Sequence, residues 1–88
     1  MIEKYLRSIG KRFFVDYYEI LKESPNKPNE YFENLIKEDY TFNSFQTKIS
    51  CSRTLFKEGL DKEALRIITK SNNVDEATRQ KAFEYLNK

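Results

Sequence analysis

Apolar side chains recur every three or four positions over residues 2–23: Ile2, Tyr5, Leu6, Ile9, Phe13, Tyr17, Ile20 and Leu21. That spacing returns to one face of a helix and does not alternate as a strand would, so it predicts a long first helix. Gly10 lies inside it at a cost of about 1 kcal/mol against Ala, which marks it as the place for a bend or a break. The cluster Ser24-Pro25-Asn26-Lys27-Pro28 then forces a loop, because each proline disfavours helical backbone in the residue before it. Pro28 suits the start of a short second helix ending near Glu38. Glu30 and Glu33 complement its positive end, and Tyr31, Phe32, Leu35 and Ile36 form its inner side.

Asn43 and Gln46 have capping-box spacing, with Phe42 ahead of them to pack on the first turns, so a third helix is expected over about residues 44–58. Its inward stripe is Phe45, Ile49, Ser52 and Phe56, widened by Leu55. Gly59 follows where helices commonly end on left-handed backbone. Asp61 is placed to cap a fourth helix bearing Ala64, Leu65, Ile67 and Ile68, which Ser71-Asn72-Asn73 breaks. Asp75 caps a fifth, with Ala77, Ala82, Phe83 and Leu86 inward, and Glu76 and Lys88 complementing its dipole. No stretch alternates like a strand. The expected fold is all-α: a single compact domain over residues 1–88, built of four to five helices, with a long N-terminal helix packed on helical hairpins. Its expected core is Leu6, Ile9, Phe13, Tyr17, Ile20, Phe32, Leu35, Phe45, Ile49, Phe56, Leu65, Ile68, Phe83 and Leu86.

Residues 55–71, through Leu55-Phe56, Gly59, Ala64, Ile68 and Ser71, resemble the helix-turn-helix hairpin of a tetratricopeptide repeat. The motif's Trp position falls on Lys48, its terminal Pro falls on Glu76, and no second copy exists, so the chain is not assigned to that family. Physically, the pattern implies that the small residues Ser52, Ala64 and Ser71 let helices pack closely across a tight turn.

At 88 residues, 39% apolar and 34% charged, the chain has enough apolar material for one core and no room for a second. Sixteen basic against 14 acidic residues give +2, too little for the long-range field of a strongly basic nucleic-acid binder. The charge is nevertheless uneven, with an acidic middle between two mildly basic ends. Cys51 is alone, which excludes an internal disulfide and points to a reducing, cytoplasmic location. The longest apolar run near the N-terminus, Phe13-Phe14-Val15, falls far short of a signal-peptide core or a membrane span. Eleven Lys against five Arg, with seven Asn and seven Ile, suggest an AT-rich bacterial or phage genome.

Catalysis near neutral pH usually draws on a tuned His, an activated Cys or paired carboxylates in a dry cleft. The chain has no His, and Cys51 lies mid-helix at the edge of the buried face, where it reads as a small apolar residue. Asp16, Glu19 and Glu23 share a helix side but read as a solvated acidic face. No catalytic residue, metal site or cofactor is therefore expected. Two candidate surfaces remain.

The first is aromatic. Phe13, Phe14, Val15, Tyr17, Tyr18, Ile20 and Leu21 fill seven of nine positions and cover most of the helix circumference, whereas a surface helix needs only about a 100° stripe. Either this helix is central to the bundle, or Phe14, Tyr18 and Leu21 form an interface with another protein or with a second copy in a two-fold dimer. The second is a basic ridge of Arg53 and Lys57 on the third helix with Lys62, Arg66 and Lys70 on the fourth, interleaved with Glu58, Asp61 and Glu63. A helix-turn-helix register through Ile49 fails, since Asn43 and Thr47 then occupy apolar positions. Membrane attachment through Arg7, Lys11 and Arg12 is opposed by Asp16, Glu19 and Glu23. The leading expectation is a non-enzymatic interaction or regulatory module with no membrane attachment. The alternative is a nucleic-acid-associated regulator acting through the basic ridge.

Overall fold

The computed structural model describes residues 2–23, 27–36 and 40–87. Within them the chain forms α1 (Ile2–Ile9), α2 (Lys11–Asp16), α3 (Tyr18–Glu23), α4 (Asn29–Leu35), α5 (Phe42–Lys57), α6 (Asp61–Thr69) and α7 (Glu76–Leu86). The described residues contain no strand, as the helical periodicity requires. Seven helices replace the expected four to five because the long first helix is cut twice, into α1, α2 and α3. The remaining four expected helices correspond to α4–α7. The expected end of α4 near Glu38 lies outside the described residues, as do residues 24–26 of the breaker cluster and Lys88. Within them α4 closes at Leu35, since Ile36 is already extended at φ −99° and ψ 107°.

The first cut is at Gly10, whose φ of 91° and ψ of 126° leave the helical region altogether. A continuous helix would send the Phe13 N–H to the Ile9 carbonyl; at the break that carbonyl instead accepts from Lys48 Nζ of α5 at 2.7 Å. The second cut, at Tyr17, is milder, with φ −114° and ψ 20°. Leu21 N–H still reaches the Tyr17 carbonyl at 3.0 Å, so α2 and α3 remain linked across it.

Helix ends follow local chemistry. Gly59 adopts φ 72°, and its neighbours close a Schellman turn in which Leu60 N–H meets Leu55 O at 2.8 Å and Gly59 N–H meets Phe56 O at 3.2 Å. Asp75 caps α7 as expected, accepting from Thr78 N–H at 3.3 Å and from its hydroxyl at 2.6 Å. The cap of α5 is Thr41, which accepts from Ser44 N–H at 3.2 Å, and not Asn43. Gln46, the other half of the expected capping box, accepts from the Asn29 side-chain amide of α4 instead.

The segmented N-terminal limb runs through the middle of the molecule. α1 packs on α5 and α6, α2 on α7, and α3 on α5, while α6 and α7 form a close hairpin. A radius of gyration of 12.1 Å matches the value of about 12 Å for a compact chain of this length. Of the expected core, Leu6, Ile9, Phe13, Phe32, Phe45, Ile49, Leu65 and Ile68 are buried; Tyr17, Ile20, Phe56 and Leu86 pack at its margin. Leu35 and Phe83 are corrections: they are 45% and 55% exposed, and Ala77, expected inward on α7, is exposed as well, its place taken by the buried Thr78. Ser52, Ala64 and Ser71 are all buried, but α5 and α6, which the Gly59 turn joins, pack little on each other: α5 packs chiefly on α1 and α6 on α7. Cys51 sits at the edge of the core. Among the described residues, no helix is long and apolar enough to cross a membrane.

Candidate functional site

The aromatic crowding belongs to the core and not to a surface. Phe14, Tyr18 and Leu21 are 0%, 2% and 1% exposed, so the chain itself encloses the residues expected to form an interface. The cause is the central course of α2 and α3. Phe14 stacks on Phe56 of α5 with centroids 5.6 Å apart, and the Tyr18 ring lies between Phe56 at 5.3 Å and Tyr85 of α7 at 4.7 Å. A dimer resting on this patch therefore loses its physical motive.

Tyr18 still needs a partner for its hydroxyl, and it donates to Asp61 Oδ2 at 2.6 Å. Burial foremost, then the hydrogen bond and charge of Asp61, push its ionisation well above the ordinary tyrosine range. Asp61 is free for this role because Leu60, closing the turn after α5, already occupies the cap position of α6, which leaves Asp61 as the first helical residue. Tyr85 is raised as well, by burial and then by Glu19, whose carboxylate accepts its hydroxyl at 3.4 Å.

The five cations of the expected basic ridge are not brought together. Lys62 Nζ donates to the Tyr85 carbonyl at 3.0 Å and so serves the C-terminal end of α7. Arg66 pairs with Glu63 at 2.8 Å on the exposed side of α6, and Lys70 stands exposed at that helix's end. Arg53 and Lys57, one turn apart on α5, join a residue from a different element. With Lys22 of α3 they line a groove of about 810 Å³, completed by Ser50, Thr54, Phe56 and Asp61. Sequence spacing could find the Arg53–Lys57 pair but not Lys22, which reaches the groove only through the packing of α3 on α5.

A second groove, of about 630 Å³, opens at the Gly10 break and is lined by Arg7, Lys11, Arg12 and Lys48 together with Phe13 and Tyr40. Its cations are largely committed. Lys48 serves the Ile9 carbonyl and stands over the Tyr40 and Phe13 rings, Lys11 donates to Ser71 Oγ at 2.7 Å, and Arg12 Nε lies 3.4 Å from Asp16. Asp16 also faces Lys81 at 4.0 Å, so the acidic side expected on the first helix is partly neutralised. Among the described residues no group of three or more Cys, Asp or Glu side chains is placed to hold a metal ion.

Three apolar side chains expected to pack inward are exposed instead. Tyr31 and Leu35, one turn apart on the outer side of α4, are 36% and 45% exposed, and Phe42 in the first turn of α5 is 68% exposed. The apolar stripe of α4 is wider than its one main neighbour, α5, can cover, so Phe32 and Ile36 take the inner places. Comparison of the chain with protein-family models, curated proteins and solved structures finds no match.

Proposed function

We propose that the protein is a small non-enzymatic interaction or regulatory module of the bacterial or phage cytoplasm, and that it docks a protein partner on the outer face of α4 and the first turn of α5. The exposure of Phe42, 68% for a large aromatic side chain, together with that of Tyr31 and Leu35 on the adjoining α4, carries this reading. Aromatic side chains are favoured anchors in protein interfaces. The composition agrees, since the sequence has no His and only one Cys. Nucleic-acid binding through Arg53, Lys57, Lys62, Arg66 and Lys70 is the weaker reading, because Lys62 and Arg66 are already engaged within the chain.

Cross-linking in source cells with the tagged protein, followed by mass spectrometry, tests the proposal when run beside Leu35→Glu and Phe42→Glu. A partner protein cross-linked to α4 should be recovered and should disappear with either substitution, while both variants keep their melting transitions. Recovery indifferent to both substitutions would defeat the reading. Steeply salt-dependent retention on DNA or RNA, reduced by Arg66→Glu, would replace it with the nucleic-acid alternative.

A further inference from the structure

Arg53 presents an anomaly that the fold does not resolve. Two of its guanidinium nitrogens, Nε and Nη2, are enclosed by protein and have no hydrogen-bond partner, while the guanidinium lies over the Phe32 ring at 5.5 Å. Buried charged donors are almost always satisfied, because leaving one unpaired forfeits its hydration without return. Lys22 and Lys57 line the same groove, and among the described residues no ion pair engages any of the three cations. Lys22 stands 5.8 Å from the Tyr18 ring centroid and also lines a neighbouring hollow with Glu19 and Glu23.

Against three cations the groove holds one carboxylate, Asp61, which already accepts the Tyr18 hydroxyl. The lining thus carries two uncompensated positive charges, with the Ser50 hydroxyl on the same face of α5; the Thr54 hydroxyl beside it donates to the Ser50 carbonyl at 3.1 Å. A dianionic oxyanion balances that charge, and turning the Arg53 guanidinium off the Phe32 ring would bring its two unpaired nitrogens to phosphate oxygens, which its planar fork suits. The volume of about 810 Å³ is that of a small-molecule site, and Phe56 supplies an apolar wall for an organic substituent. Nucleic acid fits less well, because it needs a continuous track of free cations, and the ridge beyond Lys57 is broken at Lys62 and Arg66.

The geometry points to a binding site for a small phosphomonoester in the α3–α5 groove, held by Arg53, Lys57 and Lys22. The site goes beyond the docking role and shares none of its three exposed residues, so either conclusion can fail alone.

Titration of the whole protein with phenyl phosphate, followed by NMR, tests it, with phenyl sulfate as a singly charged probe of the same shape and inorganic phosphate as the headgroup alone. Phenyl phosphate should shift Arg53 Nε and the Ser50, Thr54 and Lys57 amides saturably. Inorganic phosphate should shift the same signals more weakly, and phenyl sulfate should bind several-fold more weakly than phenyl phosphate. Arg53→Gln should reduce affinity about tenfold or more. Lys57→Gln, at an exposed position, should weaken binding without affecting the melting temperature, and it carries the test if Arg53→Gln does not fold. The proposal is overturned by the absence of saturable shifts up to about 10 mM, by equal affinity for phenyl sulfate, or by unchanged binding in folded Arg53→Gln or Lys57→Gln. It is equally overturned if only a single-stranded oligonucleotide binds, with shifts running on through Arg66 and Lys70.

Discussion

Phe14 and Tyr18 are surrounded by α5 and α7, and each contributes differently. Phe14 is purely apolar and fully enclosed, so Phe14→Ala should cost about 3–5 kcal/mol by calorimetry or denaturant titration. The double change Phe14→Glu with Tyr18→Glu should abolish folding outright; a folded, dissociated monomer would instead revive the dimer interface that burial disfavours. Tyr18→Phe keeps the ring and removes only the bond to Asp61, at about 1–2 kcal/mol. The two raised tyrosines also set a pH dependence. Because Tyr18 and Tyr85 hold their protons in the folded state after unfolded tyrosines have lost theirs, the folded chain binds more protons once pH exceeds about 10. Their contribution is therefore complete below that pH and declines as pH rises further. Melting temperatures on the alkaline side should fall, and the fall should be shallower in Tyr18→Phe; equal slopes would contradict the assignment.

The two glycines end helices by different means, and substitution should separate them. At Gly59 an added Cβ meets no atom within 4 Å, so Gly59→Val costs only the strain of left-handed backbone, about 1 kcal/mol or somewhat more. At Gly10 the backbone lies further from any region open to other residues, and the new Cβ would stand 3.4 Å from Lys48 Nζ, the group that serves the Ile9 carbonyl. Gly10→Ala should therefore lower the melting temperature more than Gly59→Ala, at a cost of about 1–3 kcal/mol. At the start of α7, Asp75→Ala should lower the melting temperature while Asp75→Asn largely preserves it, since either Asp or Asn can accept from Thr78. These elements also show what was legible in the chain. The Gly59 turn and the Asp75 cap could both be read, because each depends on residues a few positions apart; the close hairpin read across the Gly59 turn forms instead between α6 and α7. The Tyr17 break has no such signature. Nor do the final partners of Gln46 and Asp61, which were assigned to caps but are drawn away by Asn29 and Tyr18 from other helices. The cation groove was half legible for the same reason: Arg53 and Lys57 share a helix, but Lys22 arrives by tertiary packing.

Across the whole molecule, one contiguous core takes residues from all seven helices, with Phe32 of α4 fully buried in it. Heat unfolding should accordingly be a single transition, with near-ultraviolet and far-ultraviolet dichroism coinciding. α4 is the element least tied to that core. It has seven residues, no side-chain cap at its start and one principal neighbour, α5. Its inner anchor, Phe32, is shared with the Arg53 guanidinium, whose charge is not neutralised. Such a segment can detach without dismantling the rest, so its amide hydrogens should exchange with deuterium well before those of Leu55 or Leu65. Lifting α4 would release Phe32 and uncover the ring side of Arg53, extending the apolar surface around Tyr31 and Leu35 inward. A protein that docks on α4, as proposed above, need not meet it as a finished surface: it would capture the lifted form and hold it open.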